Sequence, residues 1–124
     1  ECSLILRIMQ TFGKAELIDE SLFDAAVAVA GSSPAYVFMF IEAMADAAVK
    51  EGMARPQAYR FAAPAALGSA KLALETGKHP AELKDMVCSP AGTTIEAVVQ
   101  LEKHGFRSAV MEAMTACAAK SKHV

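Results

Sequence analysis

The sequence predicts an all-α protein, a helical bundle that completes its interior with a second copy of itself. Three observations carry that expectation. Apolar residues recur at helical spacing along nearly the whole chain, alanine makes up about a fifth of it, and Gly and Pro fall between the periodic stretches. A length of 124 residues and a mass of 13.1 kDa predict one domain with a modest core. With 54% hydrophobic and 21% charged residues, such a domain holds more apolar surface than it hides alone, and a partner is implied.

The elements follow in order. Leu4 to Phe12 is a short apolar stretch stopped by Gly13, and Lys14 to Glu20 alternates weakly, as a connector or a short strand would. Ser21 to Ala30 is Ala-rich enough for a helix, ended by Gly31-Ser32-Ser33-Pro34. Pro34, at a first helical turn where no amide is needed, opens the next helix, which the pattern carries to Lys50 or Glu51 and Gly52 stops. Glu42, Asp46 and Lys50 mark its wet face; Val37, Phe38, Ile41, Met44, Ala45 and Val49 its dry one. A further helix is expected from near Pro56 to about Gly77. It is apolar on almost every side between Phe61 and Leu74, and a helix dry all round is buried all round, most simply between two copies of the chain. Pro64 should kink or split it. Pro80 to Val87 reads as a short helix and Ser89 to Thr93 as a loop. Thr93 with Glu96 forms a capping-box pattern opening a helix to His104, and Phe106 to Lys122 closes the chain.

Several function classes drop out. Twelve basic against 14 acidic residues, a net charge of -2, give no basic excess for nucleic acid. No unbroken apolar run approaches the ~20 residues of a membrane span, so no membrane partner is expected. Cys2, Cys88 and Cys117 show no paired spacing, which argues against a disulfide framework or a zinc site and for a reducing, cytoplasmic setting. The chain opens at Glu1, not Met, and is expected to be a piece of something longer. His79, His104 and His123 are far apart, and each has a structural explanation at a helix start, a helix end or the tail, so no metal is expected. Glu42 and Asp46 read as a solvated face, and Cys88 lacks a nearby His to activate it.

One segment stands apart. Asp85-Met86-Val87-Cys88-Ser89-Pro90-Ala91-Gly92-Thr93-Thr94 is a loop of small and hydroxyl residues running into a helix start. Free backbone N–H groups and the positive end of the dipole suit a carboxylate or phosphate there, with Ser89, Thr93 and Thr94 adding hydroxyls. An ordinary capped helix start has the same composition.

The run from His79-Pro80 through Leu83 to Thr94, then Leu101-Glu102, Gly105-Phe106-Arg107 and Ala109-Val110, closely resembles the C-terminal signature of pyrroline-5-carboxylate reductases. Gly31-Ser32-Ser33-Pro34-Ala35-Tyr36, with Glu42-Ala43 and Asp46-Ala47 after it, resembles the family's Gly-Ser-Gly-Pro-Ala-Tyr helix start, and Leu67-Gly68-Ser69-Ala70-Lys71 also matches. The resemblance covers the chain from about Gly13 onward.

That resemblance implies a reductase taking 1-pyrroline-5-carboxylate to L-proline with a hydride from NADPH or NADH. The cofactor would be bound mainly by an N-terminal dinucleotide domain that this chain lacks. Residues 1–18 would be the connector from that domain and 19–124 the helical dimerisation and substrate-loop domain, of the 6-phosphogluconate-dehydrogenase C-terminal-like kind. It would interlock as a homodimer, with dimers able to assemble further. Thr94 would be the catalytic residue, its hydroxyl on the ring nitrogen. Val87, Ser89, Gly92, Thr93 and Thr94 would bind substrate, with Ser89 and the N–H groups of Gly92 to Thr94 on its carboxylate. Val27 would lie near the nicotinamide. The fragment alone would be inactive. The chain departs from the family pattern at Ala91, where a Gly is usual, at Val27 and Ala30, where Thr and Ser are usual, and at Pro64, often Gln. If position 91 needs a positive φ, Ala there is strained. Two other readings remain: a stand-alone helical interaction module, and the dimerisation domain of another NAD(P)-dependent dehydrogenase. The first gives the 85–94 loop no task; the second would want a catalytic Lys or Asn on the long helices, where Lys71 has Glu75 as a surface partner instead.

Overall fold

A computed structural model describes residues 19–122, and every element among them is helical. The chain enters by a single 3-10 turn, Glu20–Leu22, then α1 (Phe23–Ala26) and a π-helical stretch, Val27–Gly31, closed by Ser32 N–H donating to the Val27 carbonyl at 2.8 Å. There follow α2 (Ser33–Lys50), α3 (Arg55–Thr76), α4 (Pro80–Val87), α5 (Thr93–Lys103) and α6 (Phe106–Ser121). The expected helix, connector and strand before Asp19 lie outside the described residues.

The core is small. The chain divides into two compact units, one formed by its two ends up to Tyr36 and from Phe106, the other by residues 37–105. Among the described residues the buried hydrophobic ones are four alanines: Ala28, Ala45, Ala58 and Ala62. Methyl groups let helices approach closely, but they hide little area each, so larger side chains are left outside.

In the first unit the π stretch and α1 pack against α6. Cys117 Sγ donates to Ser32 Oγ at 3.2 Å, and Ser121 Oγ donates to Asp24 Oδ1 at 2.7 Å, so both pairs tie the end of the sequence to its beginning. Tyr36 is half-buried; burial first, then its hydrogen bond with Cys117, push its hydroxyl above the usual phenol range. Ala25, Ala28, Val29, Met111, Met114, Thr115 and Ala118 line an open apolar groove of about 340 Å³.

In the second unit α2 and α3 form a hairpin. Ala45 meets Ala58 and Ala62, flanked by Ile41, Met44, Ala48, Val49 and Met53. Arg55 closes its turn with a 2.7 Å ion pair to Asp46. The carboxylate holds the Arg55 guanidinium protonated even more firmly than usual. Asp46 thus has a cationic neighbour that spacing within one helix does not reveal. Lys71, by contrast, makes no ion pair with Glu75 among the described residues, contrary to expectation. Pro64 does not split α3, which runs unbroken through it; the missing amide deprives only the Arg60 carbonyl of its helical partner. Gly77 ends α3 in the left-handed conformation, φ 66°, its N–H donating to the Ala73 carbonyl at 3.2 Å. Outside the alanine contact, Phe38 is 67% exposed, Phe61 61% and Leu67 69%.

The helical run Glu20–Lys50 is long and apolar enough to cross a membrane by length and composition alone. That corrects the expectation from unbroken apolar runs: the helical run carries through Gly31-Ser32-Ser33-Pro34, and no charged residue falls between Asp24 and Glu42. The core helix of a soluble protein meets the same measure.

Candidate functional site

The candidate site lies between α4 and α5, wholly within the second unit. His79 starts α4: its Nδ1 accepts the Ala81 N–H at 3.1 Å, and Pro80 follows as first helical residue. The histidine thus caps the helix; no group of three or more His, Cys, Asp or Glu among the described residues is placed to hold a metal. The helix ends at Val87, itself 63% exposed, and the Cys88 N–H donates back to the Lys84 and Asp85 carbonyls at 3.1 and 3.2 Å. Lys84 and Asp85 make a loose 3.5 Å pair on the exposed side.

From Ser89 the chain makes one tight turn. The Gly92 N–H donates to the Ser89 carbonyl at 3.1 Å, across Pro90 and Ala91. Ala91 has φ 56°, the one positive φ at a non-glycine among the described residues. Proline second and a left-handed residue third are the signature of a type II turn, whose third position favours Gly. The strain expected of Ala at a positive φ is therefore present. A Cβ at Gly92 would collide with Ser89 Oγ, so that the exposed hydroxyl must turn aside, and would stand 3.2 Å from the Ser89 carbonyl oxygen.

The turn delivers the chain to α5 without a cap. Gly92, extended at φ -84° and ψ 178°, is the N-cap, and no side chain accepts from the first turn. The expected Thr93–Glu96 capping box is therefore absent, because Thr93 is already helical and the pair is one residue out of register with the N-cap. The N–H groups of Thr93, Thr94 and Ile95 have no helical acceptor, and none among the described residues takes them. The Gly92 N–H, expected among the donors for a substrate, is instead committed to Ser89. Thr94 is half-buried; Ser89 and Thr93 are exposed.

The structure therefore places Val87, Ser89, Gly92, Thr93 and Thr94 along the junction from the end of α4 to the start of α5. Its open amides and hydroxyls can hold a small anion while offering a hydroxyl to a neighbouring polar atom. Val27, the residue expected near a nicotinamide, begins the π stretch in the other unit and is half-buried. The π geometry was not anticipated, because one added residue per turn leaves an all-apolar pattern unchanged.

Comparison with known proteins fits this geometry. Residues 20–124 match the family model described as pyrroline-5-carboxylate reductase dimerisation. The chain is 66% identical over 118 residues to the pyrroline-5-carboxylate reductase of Escherichia coli (strain K12), covering 95% of this chain and 44% of that protein. It is 52% identical over 119 residues to the protein of that name from Methanosarcina acetivorans, covering 96% and 44%. Among solved structures, 1-pyrroline-5-carboxylate reductase from Streptococcus pyogenes superposes with a TM-score of 0.87 at 38% identity, covering 92% of this chain and 44% of that one. The Plasmodium falciparum pyrroline carboxylate reductase with NADP bound gives 0.82 at 37%, covering 86% and 42%. The chain thus spans less than half the length of the relatives it matches.

Proposed function

The chain belongs to the pyrroline-5-carboxylate reductase family, and from that premise we propose that it is the self-associating, substrate-holding part of a cytoplasmic enzyme that reduces 1-pyrroline-5-carboxylate to L-proline. Residues 1–18 are then the connector from a dinucleotide domain. The observation that carries this reading is the uncapped start of α5, where the Thr93 and Thr94 amides stand open beside the Thr94 hydroxyl.

The division of labour follows from the chemistry. Reducing an imine adds hydride to the ring carbon and a proton to the ring nitrogen, so the site must fix the ring and stabilise a positively charged nitrogen. The amides of Thr93 and Thr94, with the Ser89 hydroxyl, hold the substrate carboxylate at the positive end of α5. The Thr94 oxygen accepts from the protonated nitrogen. Val87, exposed at the end of α4, offers apolar contact to the ring. NADPH or NADH supplies the hydride. The residues of this chain do not fit a dinucleotide site by themselves: no Gly-x-Gly-x-x-Gly occurs in the sequence, and Val27 has no side-chain atom to bond a carboxamide. This chain's main part is to hold the substrate and to pair with a second copy, with Val27 near the nicotinamide.

In the whole protein, Thr94→Val keeps shape and amide but deletes the hydroxyl. A hydrogen bond to a charged group is worth about 1.5–3 kcal/mol, so kcat/KM should fall about ten- to a hundredfold with cofactor affinity unchanged. Native kinetics in that variant would reduce the loop to a helix start and remove the site assignment.

A further inference from the structure

We propose that the Ser89–Gly92 turn is a two-state element whose central Pro90–Ala91 peptide flips, and that an anion bound beside it selects one of the two orientations. The second half rests on the substrate-loop reading above; the first does not.

The argument begins with Ala91. Its φ of 56° is a conformation that Gly adopts freely and an L-residue does not, and the cost shifts the population against it by about five- to thirtyfold relative to Gly. Strained backbone persists where packing over-determines it. Here it does not: Ser89, Pro90 and Ala91 are all exposed. The bond that closes the turn, Gly92 N–H to the Ser89 carbonyl, is common to type I and type II turns. Proline at the second position suits both, and type I returns Ala91 to an ordinary negative φ. The two forms share their ends and differ by rotation of one peptide plane. A Gly at position 91 would fix the balance toward the left-handed form; Ala brings the alternative within reach.

The flip has a chemical consequence. It exchanges the Pro90 carbonyl for the Ala91 N–H on each face of the turn. Whichever face an anion occupies, it meets a donor in one form and an acceptor in the other, so binding at the adjoining Thr93 and Thr94 amides must favour one form.

Nuclear Overhauser spectroscopy on the chain tests this, because the distance from Pro90 Hα to the residue 91 amide proton is short in type II and long in type I. The ratio of left-handed to ordinary population should be about fivefold or more lower in the native chain than in Ala91→Gly, with Ala91→Asn between them, since Asn tolerates the left-handed region. Equal intensity in all three would overturn the two-state turn. Adding L-proline as the probe should drive the native signal toward one limit. A native signal unmoved by proline while the Thr93 and Thr94 amide resonances shift would overturn the coupling alone; if those amides stay unmoved as well, the substrate-loop reading falls, and the variant series still decides the two-state turn.

Discussion

The two units of this chain are held together in different ways, although both leave large apolar side chains exposed, Val29 and Met111 among them in the first. The first is stitched by polar pairs between residues distant in sequence, Cys117 with Ser32 and Ser121 with Asp24, beside a buried Ala28. The second has a core of three alanines and leaves Phe38, Phe61, Leu67 and Leu74 facing outward along α2 and α3. Directional pairs fix a register within one chain. An exposed apolar face stabilises nothing until something covers it, and a face of this kind marks an association surface. The second unit is therefore where folding and self-association should be one event, as at interfaces that resemble a core cut in half.

The largest effect should come from that surface. Leu67→Glu places a charge on the apolar stretch of α3 and should abolish both the assembled species and the cooperative unfolding transition, followed together by sedimentation and circular dichroism. A stable, folded monomer in that variant would separate folding from association and break the contrast between the units.

A smaller, local effect should come from Gly92→Ala in the second unit. Its Cβ would push the exposed Ser89 hydroxyl aside and press on the Ser89 carbonyl oxygen at 3.2 Å, a small loss of stability. Thermal unfolding should report that loss, and in the whole protein KM for the pyrroline substrate should rise as Ser89 is displaced. An unchanged melting temperature would mean that the turn accommodates a side chain freely.

The smallest belongs to the first unit and appears only in alkali. Burial and Cys117 raise the Tyr36 hydroxyl above its ordinary value of 10.0. The folded form then holds its proton more tightly than the unfolded chain, so this contribution is whole below about pH 10 and is lost as pH rises through the raised value. Tyr36→Phe should remove that alkaline slope from denaturant titrations. An identical slope in the variant would assign it elsewhere.

Much of the fold was legible in the sequence because its punctuation is chemically explicit. Gly52, Gly77, Pro80 and Gly105 end or begin helices close to where their backbone preferences require. Pro64 does not split α3, since a proline inside a long helix removes one hydrogen bond and the remaining turns hold. The π stretch Val27–Gly31 left no mark in a sequence apolar at nearly every position. The Asp46–Arg55 pair was missed because it spans a hairpin turn and not one helix face. At the candidate site, the loop and the helix start that follows it were readable from small residues before a helix. The register was not: the capping residue is Gly92, one position before the Thr that the pattern suggested, and the Gly92 amide is spent on the turn. One residue of offset decides which amides are open, and composition does not carry that information.

The central claim is that the outward apolar face of α2 and α3 is covered by a second copy of this chain. Sedimentation equilibrium of the 124-residue chain at micromolar concentration tests it most directly. The account predicts twice the 13.1 kDa chain mass, with no folded monomer on dilution. A folded species of single mass, unfolding cooperatively and independently of concentration, would contradict it.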